Sequence, residues 1–186
     1  MMRLVILDRD GTINEEVDGV VDSPQAWRPL PGAIDAIARL NHAGWHVVVA
    51  SNQPGLGRGL IEVATLNAIQ ARMQRLMAEA GARVDAFFYC PHAPDEVCAC
   101  RKPQPGLLRQ IGERFGIELQ GTPAVGDALE DLAAAAAAGC VPHLVRTGRG
   151  AACVDADAQA LPPGTVVHDD LAAFARYLAD HAPESR

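Results

Sequence analysis

The run Val5-Ile6-Leu7-Asp8-Arg9-Asp10-Gly11-Thr12 limits this chain more than any other stretch. Leu4 to Leu7 is an apolar segment of strand type that ends in two carboxylates two residues apart. Gly11 follows at once, and glycine lets a chain turn through positive φ at little cost. Asp8 and Asp10 are thereby placed at the carboxyl end of a strand, the edge at which an open α/β sheet binds ligands. Taken alone, the octet also reads as a strand followed by an ordinary Asp/Gly turn. The choice depends on whether later strands end in the same way.

They do. Trp45 to Ala50 is apolar apart from His46, like a strand covered on both faces of a parallel sheet, and it runs into Ser51-Asn52-Gln53-Pro54-Gly55. Val84 to Tyr89 reads as a third strand, Pro123 to Asp127 as a short fourth ending in an acid, His143 to Arg146 as a fifth and Thr165 to His168 as a last one. Helical spacing separates them. Ala33, Ile34, Ile37, Ala38 and Leu40 follow Pro31-Gly32, and Leu66, Ile69, Met73, Leu76 and Met77 stripe a helix over 62–80. Further helices are expected over 105–115, over the Ala-rich 128–138 and over 170–178. In the turn-rich segment 14–31, Val17, Val20 and Val21 are expected to form a small hairpin over the site, pinned by Trp27. The Gly- and Ala-rich segment 147–163 is expected to be loop, and the tail from Pro183 to fray. Strands alternating with helices give an α/β class with a mostly parallel sheet, expected as one domain over 1–186.

Charge narrows the partners. With 16 Lys and Arg against 23 Asp and Glu the formal net charge is −7, which disfavours nucleic acid. A phosphorylated metabolite stays open, since a bound cation inverts local charge. There is no stretch of 18 apolar residues to span a membrane, and Met1-Met2-Arg3 leaves no room for a signal peptide before the first strand. A cytoplasmic monomer is the expectation. His46 and His168 read as structural histidines and Cys140 as a small buried hydrophobe.

Four polar clusters then converge on one sheet edge: Asp8 with Asp10, Ser51 with Asn52, Arg101-Lys102-Pro103, and Asp127 with Asp131. Oxygen ligands of this kind suit Mg²⁺, which also binds substrate phosphate, and a lysine with a small hydroxyl completes a phosphate cradle. Phosphoryl chemistry follows. A second metal site is expected in Cys90-x-His92-x₅-Cys98-x-Cys100, where three thiolates and one imidazole suit a closed, structural Zn²⁺ that orders the loop just before Arg101 and Lys102.

These motifs carry a resemblance. Asp8-Arg9-Asp10-Gly11-Thr12, Ser51-Asn52, Lys102 and Gly126-Asp127 with Asp131 are similar to the four motifs of the haloacid dehalogenase (HAD) superfamily of phosphatases. More narrowly, DRDGT, SNQPGLGRG, CPH…CxCRKPQPG and VGDxxED resemble the D,D-heptose 1,7-bisphosphate phosphatases of bacterial envelope-sugar synthesis, with histidinol-phosphate phosphatase a close relative. The resemblance implies a Rossmann-like three-layer sandwich without a separate cap domain. It implies that Asp8 is the nucleophile, forming an aspartyl-phosphate, and that Asp10 is the general acid and base. Mg²⁺ is then held by the Asp8 carboxylate, the Asp10 carbonyl and Asp127, while Ser51 and Lys102 grip the phosphoryl group. Asp131 either supports the metal through water or is a first-turn acid favoured by the helix dipole. One departure is Ala128, where relatives often carry a lysine. Candidate substrate contacts are Asn14, Asn52, Gln53, Arg58, Arg101 and Arg146, the arginines suiting a second phosphate. A small phosphorylated sugar is the expected substrate. The alternatives are histidinol phosphate, for which Glu15, Glu16 and Asp18 offer an anionic partner, and a catalytically silent phosphosugar-binding module.

Overall fold

The computed structural model describes residues 2–156 and 158–181; the tail from Pro183 lies outside them. Six strands form one sheet: β1 (Arg3–Leu7), β2 (Trp45–Asn52), β3 (Ala86–Cys90), β4 (Pro123–Gly126), β5 (Val141–Val145) and β6 (Val166–His168). Their order is β3-β2-β1-β4-β5-β6, and every pairing is parallel. The chain builds β1, β2 and β3 to one side, then crosses back to lay β4 on the other side of β1. That reversal opens a crevice above the carboxyl ends of β1 and β4. In register, Leu7 sits opposite both Val49 and Val125, so the residues after Leu7 emerge beside those after β2 and β4.

Alternation along the strands divides the core. Val5, Leu7, Val47 and Val49 face one side, packed with Ile37 of α1 (Ala33–His42), Met73 of α3 (Val63–Glu79) and Phe174 of α7 (Leu171–His181). The short α2 (Pro54–Gly57) precedes α3. Leu4, Ile6, Val48 and Ala50 face the other side, against Leu107 and Ile111 of α4 (Gly106–Phe115) and Ala134 and Ala135 of α5 (Leu129–Ala137). The result is a Rossmann-like three-layer sandwich, and among the described residues no separate cap domain interrupts it.

Two expected segments come out differently. No hairpin forms at Val17, Val20 and Val21; Asn14 instead makes isolated bridges to Asp10 and Pro29, and Pro24–Ala26 is a 3₁₀ turn capped by Ser23. The three valines lack the period-two spacing of a strand, and Pro24 and Pro29 lack the donors a ladder requires. Trp27 is nonetheless fully buried, and Val21 lies in the same cluster. The segment expected as loop holds α6 (Gly150–Ala156) and a 3₁₀ turn at Ala158–Ala160. Gly150 is no breaker there, because a Cβ at that position would run into the Val145 carbonyl. The glycine lets the helix start hard against β5.

Candidate active site

Asp8 follows β1 directly, and its N–H donates to the Val125 carbonyl at 2.8 Å, which fixes it over the switch point. Lys102, buried beneath the crevice, brings its Nζ to 2.7 Å from Asp8 Oδ1, 2.6 Å from Asp131 Oδ1 and 2.9 Å from the Ala50 carbonyl. All three ammonium hydrogens therefore have a partner. Asn52 holds this lysine in place: its Oδ1 accepts from the Lys102 N–H at 3.0 Å, and its Nδ2 donates to the Lys102 carbonyl at 3.1 Å.

Asp10 is gripped from three directions. Arg9 reaches its Oδ1 with Nε at 3.1 Å and Nη2 at 2.8 Å, Asn14 Nδ2 donates to the same oxygen at 2.9 Å, and Gln53 Nε2 donates to Oδ2 at 3.0 Å. Gln53 also donates to Ser51 Oγ at 2.6 Å, which joins the ends of β1 and β2 in one network.

Asp127 is fully buried beyond β4. Its Oδ2 accepts from the Arg149 N–H at 2.8 Å, while its Oδ1 is buried without a partner. Gly11, at φ 81°, and Gly148, at φ 54°, both press against it; a Cβ on either would overlap Asp127 Oδ2. Asp131 sits in the first turn of α5 and accepts from the Ala128 N–H at 3.1 Å through Oδ2. It is no exposed first-turn acid, since its other oxygen meets Lys102.

These placements set the charges. Burial, reinforced by Asp131, pushes the Asp8 carboxyl well above the usual carboxylate range despite Lys102. Burial also raises Asp127, to about 7, with Asp131 adding to the effect. For Asp10 burial is outweighed by the Arg9 charge and by the hydrogen bonds from Arg9, Asn14 and Gln53, and its carboxyl is lowered. Burial works against the charged form of Lys102, but Asp131 and Asp8 overcome it and hold the ammonium protonated. One carboxylate oxygen from each of Asp8, Asp127 and Asp131 lies within 4.8 Å of the others. Crowded acids with an orphaned buried oxygen fit a hard divalent cation such as Mg²⁺.

The second cluster lies at the end of β3. Cys90 Sγ is 3.1 Å from Cys100 Sγ and 3.7 Å from Cys98 Sγ, and His92 Nδ1 is 3.4 Å from Cys90 and 3.3 Å from Cys100. A tetrahedral zinc with bonds of about 2.3 Å has ligand–ligand edges of about 3.8 Å, so the four atoms stand close to the spacing that a Cys₃His site requires. Arg101 N–H donates to Cys98 Sγ at 3.3 Å, tying the loop to the start of the Arg101-Lys102 pair.

With that geometry in place, likeness to known proteins becomes informative. Over 181 residues the chain is 54% identical to D-glycero-β-D-manno-heptose-1,7-bisphosphate 7-phosphatase of Bordetella bronchiseptica, covering 97% of this chain and all of that one. This chain belongs to the D,D-heptose 1,7-bisphosphate phosphatase family. A second relative in the heptose bisphosphate phosphatase family, from Pseudomonas aeruginosa, is 50% identical over 94% of this chain and 97% of its own. The HAD-hydrolase-like family model matches residues 99–174. Among solved structures, the B. bronchiseptica D,D-heptose 1,7-bisphosphate phosphatase complexed with magnesium and phosphate superposes with a TM-score of 0.94. That match covers 97% of this chain and 100% of that one.

In this member of the heptose bisphosphate phosphatase family, not every residue singled out from sequence reaches the cleft. The cleft has a volume of about 200 Å³, and Asp10, Asn52, Gln53 and Arg101 line it. Asn14 is buried behind Asp10, with its amide spent on Asp10 and the Glu15 carbonyl. Arg58 ends α2 and Arg146 pairs with Asp169 at 3.8 Å; neither is among the lining residues. Two arginines that sequence reasoning passed over do line it: Arg9, between the two aspartates, and Arg149, in the loop after β5. Arg9 carried a signal in its position inside the Asp-x-Asp run. Arg149 carried none, being 22 residues beyond Asp127.

Proposed function

We propose that this chain removes the 7-phosphate of D-glycero-D-manno-heptose 1,7-bisphosphate, in a Mg²⁺-dependent hydrolysis that passes through a phosphorylated Asp8. The observation that carries this reading is the near-complete overlap, at 54% identity, with a relative of that named activity whose structure holds magnesium and phosphate. The relatives from Bordetella bronchiseptica and Pseudomonas aeruginosa are named for the β anomer, which supports the same anomer as substrate here.

Asp8 attacks the phosphorus and the sugar O7 leaves. Asp10 supplies the proton to that oxygen, then takes one from the water that hydrolyses the aspartyl-phosphate. In the free protein Asp10 is held ionised, chiefly by Arg9. Asp10 therefore has to take up a proton before it can act as the acid, and Arg9, Asn14 and Gln53 hold it in place for that exchange. Lys102 turns the hydrogen it gives to Asp8 in the free protein onto a phosphoryl oxygen as Asp8 is phosphorylated, keeping Asp131 and the Ala50 carbonyl, and Ser51, fixed by Gln53, borders the group. The Asp8 and Asp127 carboxylates, with the Asp10 carbonyl, would hold Mg²⁺, and Asp131, close to both carboxylates and paired with Lys102, would support it. When bound, Mg²⁺ keeps Asp8 ionised and offsets the repulsion between a carboxylate and a phosphate dianion. Arg101 meets the phosphate that stays on the product. Zn²⁺ on Cys90, His92, Cys98 and Cys100 fixes the loop that presents Arg101 and Lys102. Three neighbouring free thiols suit a reducing compartment, which supports a cytoplasmic site of action.

The test is phosphate release with Mg²⁺ from the α and β anomers of the heptose bisphosphate and from histidinol phosphate. The β anomer should be preferred, and Asp8→Asn should abolish turnover while leaving the unfolding transition in place. Preference for histidinol phosphate would refute the substrate assignment, and an active Asp8→Asn chain would refute the nucleophile.

A further inference from the structure

The cations around the cleft are unequally committed. Arg9 holds Asp10 through Nε and Nη2, with its Nη1 buried and unpartnered, and Lys102 holds Asp8 and Asp131. Arg101 and Arg149 remain for an incoming anion. They differ in what they border, because Arg149, and not Arg101, lines the smaller chamber of about 70 Å³ that holds Asp8, Asp10, Lys102 and Asp131. Arg149 is thus the arginine next to the reacting carboxylate.

Its main chain is placed with care. The Arg149 N–H holds Asp127 Oδ2, Thr147 Oγ1 donates to the Gly11 carbonyl at 2.7 Å, and Gly148 makes room for Asp127 where a Cβ would not fit. The loop after β5 is therefore riveted to the ends of β1 and β4, and the direction in which its arginine leaves is set by the fold. The side chain, by contrast, is about half exposed and rests among carboxylates: Nε is 3.2 Å from Glu16 and 3.9 Å from Asp127, and Nη1 is 3.3 Å from Glu130. Glu16 and Glu130 are themselves well exposed, so these pairs are weak and readily exchanged. A phosphate dianion offers the same guanidinium a planar, two-pronged match with higher charge.

We propose that Arg149 exchanges Glu16 and Glu130 for the phosphoryl group undergoing transfer and holds it from the cleft wall while Lys102 acts from the floor. The residue then does two jobs through separate atoms. Its backbone N–H positions Asp127, and its guanidinium neutralises charge on the equatorial phosphoryl oxygens. The inference rests on the phosphatase reading above but not on the identity of the sugar.

The experiment uses the full chain with Mg²⁺ and two probes that carry a single phosphate, p-nitrophenyl phosphate and inorganic phosphate. Arg149→Gln keeps the backbone donor to Asp127 and removes the guanidinium. It should lower kcat/KM on the aryl phosphate about 100-fold, the scale set by loss of one transition-state donor. It should also weaken inorganic phosphate, measured calorimetrically, by about tenfold. Arg149→Ala should regain part of its turnover when guanidinium ion is added, a response that a purely structural arginine does not give. Aryl phosphate turnover and phosphate affinity within about twofold of the parent would overturn the inference, and so would a loss seen only with the bisphosphate. A parent chain that hydrolyses the aryl phosphate but no heptose bisphosphate would overturn the substrate reading and leave this inference to be decided by the same variants.

Discussion

Lowering the pH should destabilise this protein through a pair of histidines far from the reacting groups. His143 on β5 and His168 on β6 are buried, 2.9 Å apart between Nδ1 and Nε2, and both rings pack edge-on against Phe174 and Tyr177. Burial, aided by the neighbouring His168, lowers His143 to about 3 from a free value of 6.5. The unfolded chain therefore binds more protons than the folded one between those two values. Stability is complete above the unfolded pKa and is lost as the pH falls below it. Between pH 7 and pH 5 the loss from His143 alone is about 2 kcal/mol, from 1.36 kcal/mol per pK unit. His168 is lowered too and acts in the same direction. Asp127 acts in the opposite direction, because a carboxyl raised to about 7 gains a proton in the folded state over this range. The assay is therefore a difference. Urea unfolding of the parent and of His143→Asn, whose amide nitrogen takes over the place of Nδ1, is measured at both pH values, and Asp127 cancels between the two chains. The stability advantage of the parent should shrink by about 2 kcal/mol on going from pH 7 to pH 5. An advantage that stays constant, or that grows on acidification, would refute the reasoning.

Two further outcomes test the site. Lys102→Met should lower kcat by about 100- to 1,000-fold through loss of a phosphoryl donor. It should also cost about 3–5 kcal/mol in urea unfolding by leaving two buried carboxylates without their cation. Unchanged kcat would remove Lys102 from the reaction. Zinc analysis of the purified chain should find about one ion, bound by the four clustered ligands. Cys98→Ser should lose that zinc, lower the unfolding temperature and raise KM for the bisphosphate even in excess Mg²⁺. Full activity without zinc would break the proposed link between the loop and Arg101.

Much of the site was legible because strand-forming apolar runs and acids stand next to each other in the chain. Leu4 to Leu7 dictated β1, and its register with β2 and β4 then brought Ser51 and Asp127 to Asp8. The four residues of the Cys/His loop were visible for the same reason of local spacing, and they do cluster. What sequence did not disclose depends on contacts across the sheet. Asn52 and Gln53 line the cleft, and their amides also clamp Lys102 and Asp10. Arg146, expected among the substrate contacts, follows β5 and pairs with Asp169, whereas the turn at Gly148 brings the backbone of Arg149 onto Asp127. The Gly- and Ala-rich segment over 147–163 is expected as loop, whereas Gly150 answers to crowding from Val145 and the residues after it form a helix.

The position of β1 at the centre of the sheet also governs how the protein comes into being. While the chain is being synthesised, β1, β2 and β3 exist before β4 does, and the side of β1 that will meet β4 is a bare strand edge. The Asp8 N–H has no acceptor until Val125 arrives, and Lys102, Asp127 and Arg149 join the site in turn from ever more distant segments. Contacts between such remote stretches close slowly. An early fragment ending before β4 would present a hydrophobic, unpaired edge suited to self-association. The arrangement that gathers the catalytic groups at one crevice thus makes the nascent chain, up to the start of β4, its most aggregation-prone form.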